Sequence, residues 1–81
     1  MATYSDVLAK RLLELCEERG LSINKLATAS GVAQSTVDNI MRGNSKNPSI
    51  RTLQRLASGL NMRVSELLDF PELEETIMDN E

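Results

Sequence analysis

Glycine residues divide the first sixty positions into short segments, and the apolar residues within each segment recur at helical spacing. The segments predict helices at about residues 5–19, 23–30, 34–42 and 49–59, and a fifth short helix from about residue 65. Gly20, Gly31 and Gly43 follow the first three helices, and a glycine readily adopts the left-handed conformation that ends a helix. With one Phe, one Tyr and no Trp, the composition disfavours an aromatic-rich β-domain. The sequence therefore predicts an all-α domain of five helices.

The predicted core consists of the apolar stripes of these helices, and helix 4 has the most regular one. Serine residues are the predicted N-caps of helices 1, 2 and 5, because a serine hydroxyl accepts a hydrogen bond from a free N–H in the first turn. These caps are Ser5, Ser22 and Ser65. The predicted stripe of helix 4 is Ile50, Leu53, Leu56, Ala57 and Leu60. The other predicted core residues are Leu8, Leu12, Leu15, Cys16, Leu26, Ala27, Val37, Ile40, Met41, Val64, Leu67 and Leu68.

The whole-chain net charge of −3 hides two regions of opposite charge. Residues 1–63 contain nine basic and five acidic residues and carry a net charge of +4. Residues 64–81 contain seven acidic and no basic residues and carry −7. Binding to nucleic acid depends on the local field rather than on the isoelectric point of the whole chain. The basic body is therefore compatible with DNA binding, and the role of the acidic segment stays open.

The sequence lacks the residue groups of common enzymes. It has no histidine, the commonest general base and metal ligand, and its one cysteine can form neither a zinc cluster nor an internal disulfide. We therefore predict that the protein is not an enzyme and needs no metal or cofactor, and we interpret Cys16 as a small buried apolar residue. With no signal-peptide pattern and no apolar run of about 20 residues, we expect a cytoplasmic protein. We expect neither a membrane nor a small molecule as partner.

The two helices on either side of Gly31 have the spacing of a helix-turn-helix motif. Ala27 is small enough to let the two helices cross closely, and Gly31 permits a sharp turn with positive φ. Leu26, Val37 and Ile40 supply the apolar contacts between the helices. The joint pattern Leu26-Ala27-x3-Gly31-x5-Val37-x2-Ile40 predicts a helix-turn-helix between residues 23 and 42.

The segment LATASGVAQSTVDNIMRGNSKNPSIRTLQRLASGLNMRVSELL, residues 26–68, resembles the phage repressor and Cro-like helix-turn-helix family, also called the XRE type. The strongest matches are G-V-x-Q-S-T-V, the Arg42-Gly43 pair after helix 3, and N-P-S-I-x-T-L at the start of helix 4. With helix 1 in front, the resemblance covers about residues 5–68. It implies a five-helix, lambda-repressor-like domain that binds an operator as a two-fold dimer, with helix 3 in the major groove. The implied function is a sequence-specific transcriptional regulator, and a repressor in particular.

The polar face of helix 3 is the predicted DNA-reading surface. In the family, the first turn of this helix meets base edges, so we assign base reading to Gln34, Ser35 and Asn39. Asp38 could accept a hydrogen bond from a cytosine amine or exclude a phosphate. Lys10 and Arg11 on helix 1 are interpreted as solubilising. We assign contacts with the sugar-phosphate backbone to Ser22, Asn24, Thr36, Arg42, Asn44, Lys46 and Asn47.

Three features depart from the family pattern. Ala33 precedes helix 3 where relatives commonly have a capping Ser or Thr, and the missing cap is expected to cost about 1 kcal/mol. Cys16 and Met41 stand where some relatives have an Arg–Glu ion pair, so we expect an apolar contact in its place. Asn47 and Ser49 stand in the phosphate-facing loop where relatives often have basic residues. With few cations near helix 3, we expect modest nonspecific affinity and a shallow salt dependence.

The composition changes after residue 70, so we divide the chain into a helix-turn-helix domain (1–70) and an acidic tail (71–81). The tail is either frayed or a short helix opened by Pro71 with three apolar residues on one face: Leu73, Ile77 and Met78. It could dock onto a second subunit, or cover the basic face of its own subunit and compete with DNA. The alternative function is a protein-interaction module or antitoxin-like regulator whose tail binds a partner.

Overall fold

The computed structural model describes residues 3–44 and 47–80, with side chains up to residue 76. Within these ranges the chain forms α-helices and no strand, which confirms the all-α prediction. Residues 3–44 and 47–80 contain six helices rather than the predicted five, because the acidic tail is also helical. They are α1 (Tyr4–Arg19), α2 (Ile23–Ser30), α3 (Gln34–Met41), α4 (Ile50–Gly59), α5 (Val64–Leu67) and α6 (Pro71–Asn80). None of the helices in the described ranges is long and apolar enough to cross a membrane.

The first helix begins one residue earlier than predicted, and its N-cap is Thr3 rather than Ser5. The Thr3 hydroxyl accepts a hydrogen bond from the Asp6 N–H at 3.3 Å, and the Asp6 carboxylate accepts one from the Thr3 N–H at 3.1 Å. This reciprocal capping box satisfies two N–H groups at once, which a cap at Ser5 would not do. The predicted cap was therefore wrong, and Ser5 is buried inside the first turn.

The predicted cap of the fifth helix was also wrong. The helix starts at Val64, and the N-cap position is Arg63 rather than Ser65. The Arg63 N–H donates to Glu66 Oε1 at 3.0 Å, so a glutamate side chain supplies the capping acceptor. A preceding Asn61 with φ of 59° turns the chain between α4 and α5. The sequence pattern located the helix but not the residue that starts it.

The core lies between α1, α3, α2 and α4, each of which packs on the next in that order. Most predicted core residues are buried, but Ile50 is 63% exposed. It is the first residue of α4, one turn before the buried Leu53, and the described chain leaves that end of the helix uncovered. At the other end of α4, Gly59 packs directly against Ser30 of α2. The fully buried large side chains are Leu12, Leu26, Ile40, Leu56, Leu60, Leu67 and Val37.

Arg11 has a structural role that its interpretation as a solubilising residue missed. Its Nε donates to the carbonyl of Leu67 at 3.1 Å and its Nη2 to the carbonyl of Glu66 at 2.9 Å. The guanidinium also lies 5.3 Å from the centre of the Phe70 ring, within the range of a cation–π interaction. Similarly, Arg19 Nε donates to the carbonyl of Leu60 at 2.8 Å. Two of the nine basic side chains are thus occupied by backbone carbonyls and are not free to bind phosphate.

We predict that Arg11→Met lowers the free energy of unfolding by about 1 kcal/mol, because it removes both hydrogen bonds and keeps only an apolar stem. Urea denaturation followed by far-UV circular dichroism measures this change. Lys10→Met is the matched control, since Lys10 is the exposed neighbouring cation, and its effect is expected to stay within about 0.5 kcal/mol. Equal effects of the two substitutions would contradict the structural role of Arg11.

The acidic tail forms α6, which packs on α1. Pro71 occupies the first helical position, and Glu72 and Glu74 lie in the first turn, where carboxylates interact favourably with the helix dipole. Thr76 is buried, and its hydroxyl donates to the carbonyl of Glu72 at 2.7 Å. Of the two alternatives left open by the sequence, the structure has the helix. The predicted common face of Leu73, Ile77 and Met78 is not tested, because the last two side chains lie outside those described.

Candidate nucleic-acid interface

Helices α2 and α3 meet at a tight turn that begins at Gly31. Gly31 is the C-cap residue of α2 and has a φ of 69°. Its N–H donates a hydrogen bond to the carbonyl of Ala27. The N–H of Val32 bonds the same carbonyl at 3.2 Å, so both residues after the helix fold back on it. Ala27 is buried where the two helices approach. The turn therefore has the backbone conformation that the glycine predicted.

The inner face of α3 is apolar and the outer face is polar. Val37, Ile40 and Met41 are buried against the rest of the domain, as is Leu26 on α2. Cys16 of α1 belongs to the same buried core as Met41. Burial raises the pKa of the Cys16 thiol, and the nearby positive charge of Arg19 lowers it by less. A buried neutral thiol is consistent with a packing role.

Gln34, Ser35 and Asn39, the three predicted base-reading residues, are all exposed on the outer face of α3. Their side chains make no hydrogen bond within the described part of the chain, so their amide and hydroxyl groups are available to a ligand. Ser35 and Asn39 are separated by four positions and so lie one above the other along the helix. Asp38 is half-buried and is therefore less accessible than Gln34, Ser35 and Asn39.

The start of α3 has no side-chain cap. The N-cap residue is Ala33, and no side chain accepts a hydrogen bond from the first turn. Backbone hydrogen bonds from Thr36 and Val37 to the Ala33 carbonyl close that turn, at 3.0 and 3.1 Å. Unsatisfied N–H groups at a helix start are donors that favour an anion.

A shallow depression of about 600 Å³ joins the start of α3 to α2. It brings Asn24, which is predicted to contact the sugar-phosphate backbone of DNA, to the same surface as Gln34. Thr28 also lines it, and its hydroxyl donates to the carbonyl of Asn24 at 3.0 Å. The sequence did not single out Thr28, although its position one turn after Asn24 would have placed it on the same face.

The other residues that are predicted to contact the sugar-phosphate backbone of DNA are distributed around the outer face of α3. Ser22 caps α2 by accepting from the Lys25 N–H at 3.2 Å, which leaves its hydroxyl proton free to donate. Arg42 follows α3 as its C-cap residue, and the Asn44 N–H bonds the Asn39 carbonyl at 2.9 Å. Thr36, Arg42, Asn44 and Asn47 are exposed, and Lys46 lies outside the described residues. Asn47 lines a different groove, which is bordered by α1, α4 and α6, so it is not brought to the α2–α3 depression.

Two further features set the charge near α3. The carboxylate of Asp6 lies against Gly43 at the end of α3, where a Cβ would be 3.1 Å from Asp6 Oδ1. This negative group at the edge of the predicted interface was not expected from the sequence, because the two residues are far apart in the chain. The acidic α6 lies on α1 and leaves Gln34, Ser35 and Asn39 exposed. The described part of the tail therefore does not cover the outer face of α3, and its competition with DNA for the basic face stays a prediction.

Taken together, the glycine turn, the buried inner face and the exposed polar outer face define a helix-turn-helix protein. The helix-turn-helix model HTH_3 matches residues 12–67, which is more than half of the chain. The protein therefore belongs to the Cro/C1-like helix-turn-helix family, as the resemblance indicated.

Known relatives and solved structures agree with this assignment. The transcriptional regulator SlrR of Bacillus subtilis (strain 168) is 40% identical over 60 residues, which are 73% of this chain and 40% of SlrR. The crystal structure of prophage Lp1 protein 11 matches with a TM-score of 0.80 at 36% identity, over 90% of this chain and 96% of that one. The restriction-modification controller protein C.AhdI from Aeromonas hydrophila matches with a TM-score of 0.68 at 37% identity, over 74% and 89% of the two chains. This chain thus spans about two fifths of the length of SlrR.

Proposed function

We propose that this chain is a sequence-specific DNA-binding transcriptional regulator that inserts α3 into the major groove. The observation that carries the proposal is the exposed row of uncharged hydrogen-bonding groups on α3, which the described chain leaves without internal hydrogen bonds. A helix that presents such groups opposite a buried apolar face matches the dimensions and chemistry of the major groove. The names of SlrR, a transcriptional regulator, and C.AhdI, a controller protein, support the same function.

Base reading in this proposal depends on amide geometry. The side-chain amides of Gln34 and Asn39 can each pair with N6 and N7 of an adenine, and the Ser35 hydroxyl can serve several bases. A good bidentate pair contributes about 1–3 kcal/mol of discrimination against a wrong base. We therefore expect operator half-sites that contain adenines at the positions under α3.

The backbone contacts fix the register of the domain on the duplex. The starts of α2 and α3 provide N–H groups for phosphates, together with the hydroxyl or amide groups of Ser22, Asn24 and Thr36. The proposed contacts are completed by Arg42 at the end of α3 and by three residues that follow it in the chain, Asn44, Lys46 and Asn47. Only two of these residues are cations, so the electrostatic part of the affinity is small.

We also propose that the protein binds its operator as a homodimer and that it acts as a repressor. Repression requires no protein surface other than that of the domain bound to DNA. We assign DNA binding to residues 1–70 and treat residues 71–81 as a tail with a separate role. The proposed regulator acts in the cytoplasm, without enzymatic activity and without a cofactor.

Selection of bound sequences from a random duplex pool tests the proposal. We expect enrichment of a two-fold motif whose half-site centres lie about one helical turn apart. With Arg42 and Lys46 in each of two subunits, log Kd against log salt is expected to have a slope of about 4, since each phosphate contact contributes about 0.9. Arg42→Gln is expected to reduce this slope to about 2 without changing the selected motif. A folded protein that enriches no motif at low salt would contradict sequence-specific binding.

The alternative function is a protein-interaction module. It is favoured by the three exposed glutamates of α6, Glu72, Glu74 and Glu75, which the structure holds on the surface of α1. In that case the pool selection fails although the domain is folded, and replacement of the glutamates by glutamine weakens association with a basic protein partner. The DNA-binding proposal predicts instead that this replacement leaves the selected motif unchanged.

A further inference from the structure

The Asp6 carboxylate uses only one of its two oxygens for a hydrogen bond within the described residues. Oδ2 accepts the hydrogen bond from the Thr3 N–H at 3.1 Å that completes the capping box of α1. Within the described part of the chain, Oδ1 accepts no hydrogen bond, and no cation lies within ion-pair distance of the carboxylate. Asp6 is also exposed. Its negative charge is therefore not paired with any described cation.

The second oxygen of this carboxylate, Oδ1, faces the end of α3. A Cβ on Gly43 would lie only 3.1 Å from it, so the Gly43 backbone and the carboxylate are close neighbours. Gly43 comes directly after Arg42, the C-cap residue of α3. The last carbonyls of a helix carry the negative end of its dipole, where a carboxylate is unfavourable. Asp6 therefore adds negative potential to a helix end that is already negative.

The residues on both sides of Gly43 are proposed contacts with the sugar-phosphate backbone. These residues, Arg42 and Asn44, are exposed. Consecutive Cα atoms are about 3.8 Å apart, so a phosphate held by either side chain would lie roughly 10 Å from the Asp6 carboxylate. This distance is about one Debye length at 0.1 M salt, within which exposed charges still interact. The carboxylate is therefore close enough to repel both phosphates.

From this arrangement we propose that Asp6 lowers the affinity of the domain for DNA of any sequence. Its carboxylate repels the phosphates that Arg42 and Asn44 contact, and Arg42 is one of only two cations among the proposed backbone contacts. The proposal rests on the DNA-binding function proposed above and adds to it a residue that lies outside the helix-turn-helix. The choice of sequence stays with the outer face of α3, because phosphate contacts carry no sequence information directly.

A lower affinity for phosphate has a consequence for a regulator that must find one site among many. A genome offers a large excess of unrelated sites that compete for the protein through sequence-independent contacts. A carboxylate beside the phosphate contacts weakens that competition, while the contacts of α3 with base edges keep their strength. The contact between Asp6 and Gly43 joins the first turn of α1 to the end of α3, two helices that pack on each other.

Removal of the charge tests this role. In water, a unit charge at about 10 Å changes the affinity for one phosphate by about twofold. With one phosphate at Arg42 and one at Asn44, Asp6→Asn is expected to tighten the binding of one subunit by about fourfold at about 0.05 M salt. The gain is expected to fall below about twofold at about 0.5 M salt, because the Debye length is then only about 4 Å. Fluorescence anisotropy with a scrambled duplex and a duplex that carries one half-site of the selected operator measures the effect, and the same gain is expected for both.

Two further variants separate the charge of Asp6 from its structural role in the capping box. Asp6→Glu keeps the negative charge and a capping acceptor, since a glutamate also completes a capping box, so it is expected to retain the low affinity. Glu14→Gln removes the same charge about 12 Å further along α1, where Glu14 lines a pocket beside the start of α6. Its affinity is expected to stay within about 1.5-fold of the wild type. Thermal unfolding followed by circular dichroism establishes that each variant is folded at the assay temperature.

The outcomes distinguish this role of Asp6 from DNA binding itself. A folded Asp6→Asn variant that binds both duplexes no more tightly than the wild type overturns the proposal and leaves DNA binding intact. An equal gain in Asp6→Glu overturns it as well, because the shape of the side chain rather than its charge would then set the affinity. An equal gain in Glu14→Gln would show that the net charge of the chain, and not the place of Asp6, matters. If neither the wild type nor Asp6→Asn binds any duplex at low salt, the proposed function fails, and the role of Asp6 fails with it.

Discussion

Joint replacement of Gln34 and Asn39 by alanine is expected to lower the affinity of one subunit for a duplex that carries a single half-site of the selected operator by about 1,000-fold. Each amide that pairs bidentately with an adenine contributes about 2 kcal/mol, so two of them contribute about 4 kcal/mol per subunit. The affinity for unrelated DNA is expected to change little, because the sequence-independent contacts come from other residues. Fluorescence anisotropy with operator and scrambled duplexes at one fixed salt concentration measures both quantities.

The controls separate base reading from stability. Gln34 and Asn39 are exposed, so the double variant is expected to unfold at the same temperature as the wild type. Glu17→Ala changes an exposed residue of α1 and is expected to leave both affinities unchanged. An equal loss of affinity for all duplexes would show that the two amides contact the backbone rather than the bases.

Gly59→Ala is expected to lower the free energy of unfolding by about 2 kcal/mol. A Cβ at position 59 would lie 2.9 Å from Ser30 Cβ and 3.0 Å from the Ser30 backbone nitrogen. Contacts this short force α2 and α4 apart, which costs about 3 kcal/mol, and the better helix propensity of alanine recovers about 1 kcal/mol. Urea denaturation followed by circular dichroism gives the difference.

The neighbouring Ser58→Ala is the matched control for Gly59→Ala, because Ser58 is exposed on the same turn of α4. Its effect is expected to stay within about 0.5 kcal/mol. Since α2 is half of the helix-turn-helix, the Gly59 variant is also expected to bind the operator more weakly than its stability alone would require. A Gly59→Ala variant as stable as the wild type would show that α2 and α4 can separate at no cost.

The helices around the turn were predictable because their signals are local. α2 has the predicted bounds, and α3 ends one residue early at Met41, with Arg42 as its C-cap residue. Gly31 adopts the left-handed conformation for which glycine is suited, and the apolar residues of α3 are buried as their spacing predicted. The exposure of Gln34, Ser35 and Asn39 follows from the same periodicity. Their contacts with bases stay a prediction.

The predictions that were wrong concern the residue that caps α1 and the extent of the buried stripe of α4. Thr3 and Ser5 can both cap a helix, and the structure uses Thr3 because Asp6 stands three residues after it and completes the capping box. Ile50 fits the apolar stripe of α4 by spacing but is exposed, because it lies at the end of the helix. Periodicity shows which side of a helix is apolar, and it does not show how far along the helix the packing extends.

The sequence by itself determined where the first four helices lie and which side of each is apolar, because hydrogen bonds and side-chain periodicity in a helix involve residues three or four positions apart. Only the tertiary structure decided what meets across the molecule. Arg11 donates hydrogen bonds to carbonyls 55 and 56 residues away, Gly59 packs on Ser30, and the groove lined by Leu53 is built from both ends of the chain. These contacts depend on how the helices pack in three dimensions, and no local pattern in the sequence encodes that arrangement. The predicted helix-turn-helix thus came from local signals, whereas the position of α6 on α1 came from the packing of the whole chain.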